Sequence, residues 1–231
     1  MEGRSKMNAQ IVRNRLLAVW LFMMFSGVFA LRAQKIYLTD AEPAARSVVL
    51  TYSWGIAGYA SSHGISAWDV DGKGGGVANT LRLMTYSSSN SVGYGLLLYD
   101  DMHSQRFRDE GVKEKVNLLY VAPQASYLKR TTLFPSCFGT MGGGAGYVHY
   151  QSKSTFSGHP DVKTSASSVG LNAFLNLEYT FARHWGVCLE VNALYSPLNP
   201  SEVQADFIPW KQRDKFDLFV LTTQLGISCH F

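Results

Sequence analysis

The chain is short of charge. Only 16% of its 231 residues are Asp, Glu, Lys or Arg, against about 25% in an average soluble domain. Disorder is excluded by the same composition, because disordered chains are rich in charge and poor in aromatics, and this one is 13% aromatic. Cysteine is scarce too. The three residues Cys137, Cys188 and Cys229 are an odd number, give no disulfide framework and leave at least one free thiol. After the first thirty residues no segment is long and apolar enough for a membrane helix, which needs about 20 residues. A helical bundle is disfavoured by 21 glycines among the aromatics, since both are poor helix formers. The length suits one domain or two small ones.

The N-terminus reads as an export leader. Arg4, Lys6, Arg13 and Arg15 precede an uncharged stretch from Leu16 to Ala30, and Ala30 and Ala33 are small residues at a cleavage site. Cleavage after Ala33 divides the chain into a signal peptide (1–33), a short N-terminal segment (34–45) and a domain (46–231). Five of the 21 basic residues and one of the 17 acidic ones leave with the leader, so 16 of each remain and the net charge is zero. The basic footprint of a nucleic-acid binder is therefore absent.

What remains alternates with period 2. Strands are predicted near 47–60, 78–87, 91–101, 113–127, 137–152, 164–181, 185–197 and 215–231. The clearest places Val169, Leu171, Ala173, Leu175, Leu177, Tyr179 and Phe181 on one face, with Asn172, Asn176 and Glu178 among those on the other. Long polar connections near 61–77, 102–112, 153–163 and 198–214 alternate with shorter ones, as in an up-and-down antiparallel barrel that crosses a membrane. The apolar faces begin and end in aromatics, Trp185 to Tyr195 and Phe219 to Phe231. Ten to twelve residues at about 3.3 Å each, tilted about 40°, cover roughly 25–30 Å. Well inside the strands only Arg82, Glu178 and Glu190 carry charge.

The ending Leu225-Gly226-Ile227-Ser228-Cys229-His230-Phe231 resembles the C-terminal strand of Gram-negative outer-membrane proteins. The architecture of 46–231 is similar to small eight-stranded barrels of the OmpX type. Cys229 departs from the more usual aromatic two residues before the end. The resemblance implies an all-β, eight-stranded transmembrane barrel in the outer membrane, both termini and the short turns periplasmic. It also implies that Phe231 is read by the barrel-assembly machinery, and that the chain contacts outer-membrane lipid and lipopolysaccharide.

An interior about wide enough to be filled by side chains is expected to hold a polar filling, with Arg82 paired to Glu178 or Glu190 because a lone buried charge is costly. Phe207, Ile208, Pro209 and Trp210 are odd on a free loop and mark a candidate docking patch, with another outer-membrane protein as its partner. Arg106 and Arg108 are candidates for phosphate contact. Ser228, His230 and Glu190 point toward one mouth, which would be the raw material of acyl transfer, but at the wrong end for lipid chemistry. Asp69-Val70-Asp71-Gly72 resembles half of a calcium loop, and Thr80 stands where its Glu should be. His63, His103 and His159 lie on three connections without metal spacing. No catalytic group, metal or cofactor is therefore expected. Parity separates Cys188 (inward) from Cys229 (outward), against a bond between them. The reading is a non-enzymatic barrel, structural or a subunit of a larger assembly. The alternatives are a narrow pore and, behind it, a lipid-modifying enzyme.

Overall fold

The computed structural model of the chain describes residues 46–59, 73–87, 91–106, 113–130, 137–155, 160–182, 184–200, 202–204 and 215–231. The signal-peptide segment, the calcium-like motif at 69–72, His63, His159, Arg108 and the 207–210 patch lie outside the described residues.

Eight long strands close into one antiparallel barrel. They are β1 (Arg46–Tyr59), β2 (Lys73–Ser87), β3 (Val92–Arg106), β4 (Lys113–Arg130), β5 (Cys137–Thr155), β6 (Val162–Ala182), β7 (Trp185–Leu198) and β9 (Phe216–His230). Each pairs with its sequence neighbour, and β9 pairs with β1 from Val49↔His230 to Tyr59↔Val220. The ring therefore leaves no long edge exposed, which is what permits strands inside a membrane. A three-residue strand, β8 (Glu202–Gln204), lies where the sequence suggested only loop. It pairs with β6 at Lys163↔Gln204, beyond the point where the β6–β7 ladder ends at Leu171↔Tyr195.

The outer wall follows from the alternation. Leu96, Leu98, Leu171, Leu175, Leu189 and Leu225 are exposed, with Tyr147, Tyr195 and Phe219 toward the long connections and Tyr94, Tyr127, Tyr179 and Trp185 toward the short turns. Exposed apolar side chains on this scale have no place in water. Among the described residues no helix is long and apolar enough to cross a membrane.

Several strands run further than the apolar pattern. β2 starts at Lys73 rather than 78, β3 continues to Arg106 rather than stopping at 101, and β5 reaches Thr155. The pattern stops because side chains beyond the belt face polar surroundings, while the backbone ladder continues, as at Gln105↔Glu114 and Lys115↔Lys153. Charge inside the strands is consequently richer than expected: Asp101 and Glu114 are fully buried on the inner face.

Candidate functional site

The interior is layered, not uniformly polar as the sequence suggested. Toward the long connections it is apolar and aromatic. Leu97, Tyr99, Leu118, Tyr120, Tyr150, Leu194 and Leu218 are all at most 1% exposed and belong to one cluster. The cause is visible in the chain, since Leu96–Tyr99 and Leu118–Ala122 are apolar at every position and present apolar groups on both faces. Three tyrosines in an eight-stranded lumen leave little free cross-section.

Toward the short turns the filling is polar and centred on Arg82. Its two terminal nitrogens grip the Glu190 carboxylate at 2.5 and 3.0 Å, and both residues are almost wholly buried. A fork-shaped guanidinium on a carboxylate is the strongest form of such a pair. The guanidinium carbon also lies 3.5 Å from the centre of the Phe174 ring, a cation–π contact. Phe174 has room because position 142, its partner on β5, is glycine. A Cβ there would come within 2.8 Å of the Phe174 ring and 2.7 Å of Ser126 Cβ.

Beside this pair an amide network crosses the lumen. Gln124 Nε2 donates to Asn172 Oδ1 at 2.9 Å, Tyr120 OH donates to the same oxygen at 3.1 Å, and Asn172 Nδ2 donates to Asn192 Oδ1 at 3.1 Å. Thr80 Oγ1 donates to Gln224 Oε1 at 2.8 Å. Such networks fix a unique packing where each member is satisfied.

The expected cluster of Arg82, Glu178 and Glu190 is thus divided. Glu190 takes Arg82, while Glu178 bonds His230 Nε2 and accepts from Thr180 Oγ1 at 3.4 Å. The trio of Glu190, Ser228 and His230 does not assemble. Trp185 pairs with Cys229 rather than standing level with Phe231, which sets Glu190 opposite Gln224. Both Glu190 oxygens are occupied by Arg82, and the His230 Nε2 that a serine nucleophile would need is held by Glu178. No nucleophile–base pair forms here.

The mouth at the long-connection end corrects the placement of His103 on a connection: it lies in β3 and is buried, as are Asp101 beside it and Glu114 on β4, because the ladder continues past the apolar pattern and turns these side chains inward. Gln105 Nε2 donates to Glu114 Oε2 at 2.5 Å, and Tyr59 OH donates to Asp101. His103 packs edge-on against the Tyr59 ring, centroids 4.4 Å apart. Among the described residues no three His, Cys, Asp or Glu side chains gather as a metal would require. The thiols are unbonded. Cys188 lies inside, with its Sγ 3.9 Å from Ser53 Oγ. Cys229 is 5% exposed despite its outward parity, flanked at its own level by Leu50 and Trp185. On the outer wall a groove of about 560 Å³ runs over Gly139, lined by Tyr127, Met141, Leu175, Leu189 and Val191. It is an apolar surface of the kind acyl chains cover.

No protein-family model matches the chain, and no curated protein does. Solved structures do. The outer membrane protein OprG from Pseudomonas aeruginosa is 15% identical, with a TM-score of 0.51 over 81% of this chain and 96% of that one. A major outer membrane protein from Thermus thermophilus is 12% identical, with a TM-score of 0.50 over 81% and 100%. Neisserial surface protein A is 12% identical, with a TM-score of 0.46 over 81% and 98%. This chain has the fold of the small eight-stranded outer-membrane β-barrels.

Proposed function

We propose that the chain is a non-enzymatic barrel of the outer membrane, with its short turns and both barrel termini in the periplasm and its long connections outside. Its interior is a structural filling, and its work is done by surfaces that face the membrane exterior. The observation that carries this is the pairing of an exposed apolar wall with a lumen filled by buried side chains at two levels, Tyr99, Tyr120 and Tyr150 at one and Arg82, Glu190 and Phe174 at the other. A wall of that kind matches a bilayer with aromatic girdles. The test is refolding into lipid vesicles. A boiled sample should migrate differently from an unboiled one on a gel, protease should leave the strands intact, and planar bilayers should show no steady conductance.

A narrow pore is the second reading. It is favoured by inward polar atoms of the lower half that have no side-chain partner among the described residues, including Gln224 Nε2, Asn192 Nδ2 and Ser228 Oγ. Water could occupy such sites. A steady conductance that Arg82→Ala enlarges would replace the first reading with this one.

A further inference from the structure

The outer wall has two polar groups out of place. The first is on β1. Trp54 is 58% exposed and pairs with Leu225, which stands midway between Phe219 and Phe231, the aromatic limits of the belt on β9. Its indole N–H is therefore in the middle of the hydrocarbon, away from either aromatic girdle. Beside it, Tyr52 OH is satisfied by Asn79 Oδ1 at 3.1 Å. The indole has no acceptor among the described residues.

The second is on the opposite wall. The β4–β5 ladder stops at Val121↔Tyr147 and resumes at Gln124↔Gly144. Between these pairs Pro123 faces Ala145, and proline has no N–H to give. The Ala145 carbonyl thus loses its ladder donor. The donors of the lumen go to its neighbours, Tyr120 OH to Gly144 O and Gln124 Nε2 to Pro123 O, each at 3.2 Å. A carbonyl without a partner is costly inside a bilayer. The outward side chains around it are short, with Ala125, Gly143 and Ala173 in one row across β4, β5 and β6, so another molecule can approach the backbone closely.

The ladders set these two groups at one depth. From Trp54, the steps through β9, β7 and β6 pass Leu225, Leu189 and Leu177 and reach Gly139 on β5. The same number of steps the other way pass Asn79, Asp100 and Leu119 and reach His149 on β5. In a tilted barrel each step shifts the level equally, down on one route and up on the other. The point of β5 directly across from Trp54 is therefore midway between Gly139 and His149, at Gly144, next to Ala145. Beyond the belt the two faces also carry opposite charge. Lys115 on β4 and Lys163 on β6 are outward and have no ion-pair partner among the described residues, while Asp217 on β9, beside β1, is outward and accepts from Tyr195 OH at 3.0 Å.

A lone donor and a lone acceptor at one depth, on opposite walls of one molecule, can meet only between molecules. We infer that the chain associates with copies of itself side by side in the membrane, the Trp54 indole of one copy donating to the Ala145 carbonyl of the next across the Pro123 break. Copies in one bilayer share an orientation, so the contact is heterologous and extends into rows. The inference rests on the membrane reading.

The experiment uses the full chain folded from one side into phosphatidylcholine vesicles, each variant first checked for its heat-dependent gel shift. Donor and acceptor dyes on the half-buried thiol of Cys137 report association by energy transfer as protein density rises. Wild type should show transfer above random mixing, increasing with density. Trp54→Phe, which removes the N–H and keeps an aromatic ring, should need about tenfold higher density for the same transfer. Pro123→Ala, which returns an N–H to the ladder, should weaken association by the same factor. The double variant should be no weaker than either single one, because both remove the same bond. Leu98→Ala, on the β3 wall between the two faces, should stay within about twofold of wild type, as a distant site does. Transfer no greater than random mixing at every density overturns the inference, leaves both groups to lipid and water, and leaves the barrel reading intact. Pro123→Ala associating like wild type, or single losses that add in the double variant, overturns the Trp54–Ala145 contact. Absence of the gel shift in wild type would instead remove the membrane reading itself.

Discussion

Replacing Glu190 by Gln isolates the worth of the buried pair. The substitution keeps the volume and leaves Arg82, 2% exposed, without its counter-charge. Removing one partner of a buried pair usually costs about 3–5 kcal/mol. Two contacts soften that here. The Phe174 face, 3.5 Å from the guanidinium carbon, retains about 1–2 kcal/mol of cation–π attraction, and the Gln oxygen can still accept one hydrogen bond. The expected loss is therefore about 2–4 kcal/mol. Removing both charges with Arg82→Met and Glu190→Leu should bring stability back to within about 1 kcal/mol of wild type, because an apolar pair of similar size is often neutral. The assay is reversible urea unfolding from phospholipid vesicles, followed by fluorescence of Trp54 and Trp185, which sit on the exposed outer wall. A single variant within 1 kcal/mol of wild type, or a double variant as unstable as Glu190→Gln alone, would refute the pair as the electrostatic centre of the interior.

Gly142→Val should cost about 1–3 kcal/mol through overpacking, since the space its Cβ needs is filled by Ser126 and Phe174. The control Gly75→Ala, with nothing within 4 Å of a Cβ, should be neutral in the same titration. Leu175→Arg on the outer wall should destabilise the folded state in vesicles by about 2–4 kcal/mol. An equal cost for Lys163→Leu would contradict the depth assigned to the belt. A maleimide reagent should label half-buried Cys137 in the folded barrel while sparing buried Cys188 and Cys229, and mass spectrometry after rapid quenching reads the order. Arg82→Ala should still fail to conduct in planar bilayers, because the Tyr99–Tyr120–Tyr150 layer closes the lumen on its own; a steady current would refute that second closure.

The barrel was legible because lipid imposes one rule on every strand. From Val169 to Phe181 each second residue is apolar or small, and nothing in the lumen can disturb that alternation. Legibility failed wherever the lumen's own chemistry decided the outcome. Leu96-Leu97-Leu98-Tyr99 has no alternation to read, because the inner face there is as apolar as the outer, and the expectation of a polar interior missed it. Arg82 was recognisable as inward from its parity, but its choice of Glu190 over Glu178 depended on the β7–β9 register. A displacement of two residues, from Trp185↔Phe231 to Trp185↔Cys229, keeps every side chain on its face and so leaves no trace in the sequence. Lys115, Lys153 and Lys163 lie 38 and 10 positions apart in the chain, and only the ladders set them opposite one another.

The layering of the lumen bears on what such a barrel can be for. A solute path needs continuous polar lining, yet the polar filling stops at the level of Tyr120, which donates to Asn172 on its lower side and packs into the apolar cluster above. That arrangement pairs Arg82 with Glu190 and links Gln124, Asn172 and Asn192 in one network, while the aromatic layer separates them from the mouth where Asp101, His103 and Glu114 sit. A shielded ion pair is stronger and less screened by salt than an exposed one, so the upper layer raises the worth of the lower. The two layers stabilise each other as parts of one packed core.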